Sequence, residues 1–223
     1  MTQQQWDPEK EYKVERWPAS LALLACAVLY ASLPEALVIK PKWLVPVLIL
    51  LPLIPLTIST RSKSQHQRRW IRPVTIGTIA VINIANIVSM ALLIHRQFWH
   101  HTAVAQNGRT LFFSGILIWV TNVLVFGLWF WELDRGGPSV RGTKNERWPD
   151  FQFPQMATPE MTKPDWHPRL YDYLYVGFTN ASAFSPTDAM PLTVLAKALM
   201  TLESGVSMLT IVVVVARAIN ILG

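Results

Sequence analysis

Four stretches of this chain carry no charged side chain: residues 17–34, 43–60, 73–94 and 110–131, which are 18, 18, 22 and 22 residues long. About 20 apolar residues, wound at about 1.5 Å per residue, match the ~30 Å of a bilayer's hydrocarbon. Lipid offers a backbone N–H or C=O no hydrogen-bond partner, so such a run satisfies its backbone internally, as a helix. A further apolar stretch, residues 191–222, is longer and holds Lys197, Glu203 and Arg217. The pattern predicts an all-α integral membrane protein with five transmembrane helices. The hydrophobic share of 51% does not decide this, because soluble domains reach similar values; the distribution does.

The net charge of +6 raises nucleic acid as a partner. Much of the excess, however, lies in Arg61, Lys63, Arg68, Arg69 and Arg72 between two apolar runs, where basic residues set membrane topology. No nucleic-acid partner is expected, and an anionic-lipid site is the alternative for this loop. The single cysteine, Cys26, sits inside the first run and excludes a disulfide within one chain.

Between the fourth run and the last lies a shorter element. Residues 169–179 are amphipathic, and residues 180–190 form a polar turn containing Pro186. A helix of roughly 10–14 residues is too short to span a bilayer and reads as re-entrant or interfacial. Irregular backbone at membrane depth survives where protein buries it or water reaches it. The fold expected is therefore five spans plus a re-entrant pore helix and loop. The chain divides into a polar tail (1–16), a three-helix peripheral region (17–109) and a pore-like domain (110–223). Within the last, 110–135 is an outer helix, 136–168 a cap loop, 169–190 the re-entrant helix and turn, and 191–222 an inner helix.

The C-terminal quarter resembles the pore domain of tetrameric, potassium-type cation channels. There a pore helix leads into Thr-Val-Gly-Tyr-Gly-Asp, with a proline three residues later. Here Ser182, Ala183, Phe184, Ser185, Pro186, Thr187 and Asp188 stand at the matching place, with Pro191 after Asp188. Leu202-Glu203-Ser204-Gly205 falls where many inner helices carry a glutamate and a hinge glycine. The filter chemistry departs from that pattern: Ser185, Pro186 and Thr187 replace Gly-Tyr-Gly. Glycine permits backbone angles closed to other residues, and proline fixes φ near about −65°, so potassium selectivity is not carried over.

The resemblance implies a homo-oligomer, a tetramer, in the lipid bilayer. Its ion path would be lined by Thr179, Asn180, Ala181, Ser182, Ala183, Phe184, Ser185, Pro186, Thr187 and Asp188, with Glu203, Ser204 and Gly205 on the inner helix. Rings of hydroxyls, carbonyls and carboxylates favour hydrated cations. The function expected is an oligomeric, ion-channel-like pore weakly selective for monovalent cations. The alternative is a non-conducting structural or partner-binding membrane protein that keeps the fold, which Pro186 and bulky Phe184 favour. Ser204, Gly205 and Ser207 are also small enough for close helix packing.

The fourth run ends in Trp-Glu-Leu-Asp-Arg-Gly-Gly-Pro, residues 131–138. Gly136, Gly137 and Pro138 stop the helix, and Glu132, Asp134 and Arg135 are the first charges beyond it. An ion pair within the turn, or a buried pair locking this helix to the pore segment, is expected of them. Asn83 and Asn86 share a helix face and read as interhelical hydrogen-bonding groups. His95, His100 and His101 lack metal-ligand spacing, and no catalytic motif or nucleotide loop occurs. Neither a cofactor nor an enzymatic activity is expected. Residues 131–138, the Phe-Ser-Pro-Thr-Asp turn and residues 33–46 together resemble an uncharacterised bacterial family of multi-pass membrane proteins. That resemblance implies the bacterial cytoplasmic membrane and brings no activity with it. With the N-terminus inside, 14 Lys and Arg face the cytoplasm against 5 outside. This arrangement puts the pore loop on the cytoplasmic side, opposite to potassium-type channels.

Overall fold

The computed structural model describes residues 15–51, 65–99, 108–164, 166–182 and 189–222. Six of the filter-like positions, Ala183, Phe184, Ser185, Pro186, Thr187 and Asp188, lie outside the described residues, as do His100 and His101.

Helix is the dominant structure. The elements are α1 (Trp17–Ser32), α2 (Leu44–Leu50), α3 (Gln65–Trp99), α4 (Gly108–Leu133), α5 (Leu170–Ser182) and α6 (Val194–Leu222), with a two-residue pair of strands, β1 (Phe151–Gln152) and β2 (Met190–Pro191). Three stretches are long and apolar enough to cross a membrane: Arg72–Gln97, Gly108–Gly136 and Val194–Ala216. They mark the chain as a membrane protein. The first run forms a shorter apolar helix of 16 residues. Only its first part is described in the second run, as the seven residues of α2 and Leu51.

Local sequence sets the helix ends. Pro18 sits in the first turn of α1, where its missing N–H is no loss. Extended Leu33, followed by Pro34, closes α1. After α4, Arg135, Gly136 and Gly137 take φ of 55°, 83° and 92° in succession. Two glycines make that left-handed run accessible and turn the chain out of the helix. At the start of α6, Thr193 Oγ1 accepts the Ala196 N–H at 3.3 Å and caps the helix.

The organising element is α4, which packs against α1, α3, α5 and α6. Glycines allow the closest approaches. A Cβ at Gly127 would lie 2.7 Å from Leu174 Cδ2 and 3.0 Å from Leu174 Cα. One at Gly115 would run into the Val214 side chain at Cγ2. The pairings give direction: α5 and α6 both run antiparallel to α4, since Gly127 meets Leu174 and Gly177 meets Val123, while Asn122 meets Ser207 and Gly115 meets Val214. The core threads Cys26, Tyr30, Ile79, Ile82, Ile118 and Phe126 through α1, α3 and α4.

Candidate functional site

Two polar clusters sit on α4, one at its C-terminal end and one near its middle. At the end, Asp134 is fully buried and Oδ2 accepts the Tyr173 hydroxyl at 2.5 Å. Its Oδ1 accepts the main-chain N–H groups of Asp150 (2.7 Å) and Phe151 (3.3 Å). Arg135 Nε stands 3.7 Å from the same carboxylate, and Arg135 Nη1 donates to Glu146 Oε1 at 2.7 Å. Arg141 is also buried; it donates to the carbonyls of Trp131 and Asp134 and lies over the Tyr173 ring at 5.2 Å. The carboxylate thus ties three separate pieces of chain: the end of α4, the first turns of α5, and the strand that leads out of the loop.

That loop is held by rings. Phe130 and Phe151 are 5.0 Å apart, Phe153 and Tyr173 5.2 Å, and Phe153 and Trp166 5.9 Å. Strand β1 pairs with β2 antiparallel, and Leu192 N–H donates to Asp150 O at 2.8 Å. Thr193, the α6 cap, donates to Asp150 Oδ1 at 2.7 Å. So the start of α6 is fixed beside the end of α4.

Glu132 belongs to this end too. It is fully buried, and the cations that act on it are Arg16, Arg72 and Arg141, from three separate parts of the chain. Neither carboxylate oxygen has a hydrogen-bond partner among the described residues. Of the three charges singled out in the sequence, Asp134 and Arg135 pair with each other, and Glu132 faces other arginines.

The second cluster lies deeper. Glu203 is fully buried, and its Oε2 accepts Asn180 Nδ2 at 2.7 Å. The same amide nitrogen donates to Met200 O at 2.9 Å, and Ser204 Oγ donates to Asn180 O at 3.3 Å. From α4, Asn122 Nδ2 donates to Glu203 O at 3.0 Å and to Ser207 Oγ at 2.8 Å. Trp119 Nε1 reaches Ala181 O at 3.4 Å. Thr179 and Ser182 spend their hydroxyls on carbonyls of their own helix, Tyr175 O at 2.9 Å and Phe178 O at 2.5 Å.

Thr179, Asn180, Ala181 and Ser182 therefore end α5 among α4 and α6 of the same chain, joined to Glu203 and Ser204. Gly205 makes no close helix contact among the described residues, since a Cβ there would meet nothing within 4 Å. Ser207 packs inward, and the close approaches among the described residues belong to Gly115, Gly127 and Gly177. Lys197 is exposed in the first turn of α6. Asn83 and Asn86 are both buried on α3, where Asn83 Oδ1 and Asn86 Nδ2 have no partner among the described residues.

Three residues central to these clusters were not singled out from the sequence: Asn122, Tyr173 and Arg141. Asn122 had a signal, being an amide within a charge-free run. For Tyr173 and Arg141 no local signal exists, because their partners lie 39 and 10 residues away. No family model, no curated protein and no solved structure matches the chain.

Proposed function

We propose that the chain builds an oligomeric membrane pore, with α4, α5 and α6 as its pore-forming half. One observation carries the reading. The segment from Leu170 to Pro191 is anchored at both ends beside the end of α4, by Tyr173–Asp134 on entry and by β1–β2 on exit. Between those anchors α5 runs down α4 from Gly127 to Trp119. Eight residues of helix correspond to about 12 Å of depth; two anchors on one side and a helix of that depth support the re-entrant reading. Copies of the chain, four in this reading, surround an axis at the turn, and hydrated monovalent cations pass with weak selectivity. In this reading the apolar sequence runs 17–34 and 43–60 cross as well, which makes five spans in the bacterial cytoplasmic membrane.

Purified protein decides this in two steps. Particle images with fourfold symmetry and cation conductance in planar bilayers are the expected results. A monomer, or no conductance at any voltage or pH, overturns it.

A second reading, a sealed relative that scaffolds or binds a partner, draws support from one feature. The polar side chains of α5 and α6 bond to each other inside one chain, while the outward side of α6 shows Leu195, Leu202, Met208, Leu209 and Val212. Fourfold particles that never conduct favour it.

A further inference from the structure

The end of the bundle where α1 and the apolar stretch of α3 begin and α4 finishes holds more positive charge than its carboxylates take up. Arg16, Arg72 and Arg141 all act on fully buried Glu132, while Arg141 and Arg135 act on fully buried Asp134. Arg135 also pairs with Glu146. Four arginines thus meet three carboxylates. At the rim, exposed Arg147, whose stem lies against Gly136, adds a further cation. Exposed Glu15, next to Arg16 in sequence, adds a further carboxylate.

Hydrogen-bond donors are left over as well. Buried Arg141 donates through Nη2 to the Trp131 and Asp134 carbonyls, and its Nε and Nη1 have no partner among the described residues. Arg72 Nε is buried and has none either. A Cβ at Gly137 would lie 3.3 Å from Arg72 Nε and 3.7 Å from Arg72 Cζ. The bare glycine therefore seats this guanidinium against the end of α4, next to Glu132 O. Arg16 and Arg72 are half-buried, so each keeps a side open to the surface. A guanidinium presents forked N–H groups that match phosphate oxygens.

The level of these arginines points to the source of the phosphate. Arg72 opens one apolar stretch of crossing length, and Glu132 stands near the end of another. Arg16 directly precedes α1, whose first residue, Trp17, is 60% exposed. Tryptophan favours the headgroup level of a bilayer. Further along α1, Leu21, Leu24 and Val28 are exposed at helical spacing and form an apolar lane below Trp17. On α3, Val74 is exposed two residues after Arg72. Basic groups between helices at this level suit the headgroup of an anionic lipid, and the lane suits its hydrocarbon.

We propose that this end of the bundle binds one anionic phospholipid. Arg16 and Arg72 take its phosphodiester, and Arg141 adds its charge from behind them. Glu132 is a positioning residue that gathers the three arginines. An acyl chain lies along Trp17, Leu21, Leu24 and Val28. The site is built within one copy, so it does not rest on the pore reading.

The test uses the purified full chain, stripped of lipid in an uncharged detergent. Phosphatidylglycerol and phosphatidylcholine with the same acyl chains are titrated in turn. Native mass spectrometry counts bound lipid, and thermal unfolding reads the stability that a ligand of the folded state adds. One phosphatidylglycerol per chain is expected to stay bound where phosphatidylcholine is lost, with a saturable rise in melting temperature. Arg16→Ala and Arg72→Ala should each weaken apparent affinity about tenfold, as the loss of one charge-assisted hydrogen bond does. Lys40→Ala, beyond the other end of α1, should leave it unchanged. Equal retention of the two lipids overturns the proposal. Unchanged affinity in both arginine variants also overturns it, as does an equal loss in Lys40→Ala, the mark of general attraction to a basic protein. Glycerophosphoglycerol, the same headgroup without chains, separates lipid from free phosphodiester: stabilisation equal to that by the lipid overturns the lipid assignment. Should Arg72→Ala fail to fold, Arg72→Ala with Glu132→Gln, which removes the buried acid along with its cation, is read in its place. The comparison of the two lipids on the unaltered chain decides in any case.

Discussion

The bond between Tyr173 and Asp134 is the contact whose removal most directly tests how α5 is held. Both residues are fully buried, so solvent screening does not dilute their interaction. Tyr173→Phe removes the hydroxyl that donates to Asp134 Oδ2 and keeps the ring beneath Arg141 and against Phe153. Asp134→Asn retains an oxygen for the Asp150 and Phe151 N–H groups and removes the negative charge. A hydrogen bond to a charged group contributes about 1.5–3 kcal/mol net. Tyr173→Phe is expected to cost about that much. Asp134→Asn costs more, because Arg135 and Arg141 lose a neighbouring countercharge. In the double variant the bond is already gone, so a double-mutant cycle should return a coupling energy of about 1.5–3 kcal/mol. Chemical unfolding of the four proteins in mild detergent measures it. A second readout separates the bond from general softening. Amide exchange at Asp150 and Phe151 should speed up in Asp134→Ala and stay near wild type in Tyr173→Phe, since only the aspartate holds those N–H groups. Additivity within ~0.5 kcal/mol, the behaviour of independent sites, would refute the claim that this carboxylate locks α5 to α4.

Gly127→Val should lower stability by about 1–3 kcal/mol, because the new side chain meets the main chain of Leu174; unfolding in detergent checks it, and a neutral result means α4 and α5 sit further apart. Gly205→Ala should be neutral or stabilise by up to ~1 kcal/mol through helix propensity, since nothing lies within 4 Å of the added methyl. If the proposed conductance is found and this variant lowers it at unchanged stability, Gly205 acts in gating. Cys26 is fully buried, so maleimide should label the folded protein slowly and the unfolded protein fast; equal rates would place α1 outside the packed core.

How legible the chain is depends on the distance over which a feature acts. The end of α4 could be read from Gly136 and Gly137, because a left-handed turn is a local steric matter and glycine is its local solution. The short α5 could be read because its length falls below a membrane crossing. The charges at 132–135 could be picked out, but not their partners. Asp134 chose Tyr173 and two main-chain N–H groups, and Glu132 was left to face Arg16, Arg72 and Arg141. For Gly205 the sequence suggests close packing, and no neighbour among the described residues of the chain supplies it: a glycine on a helix has a face, and the face turns on the helix's rotation against its neighbours.

The sequence by itself determined that this chain is mainly helical and carries apolar stretches of membrane-crossing length; it gave five spans, and three helices of the structure are long and apolar enough to cross. Only the tertiary structure decided that α5, α4 and α6 meet at Glu203, and that Asn122, Asn180 and Gly177 surround that carboxylate. The helix period fixes which residues share a face, but the partner of each face is settled by packing between segments up to 85 residues apart, and no local pattern records that choice.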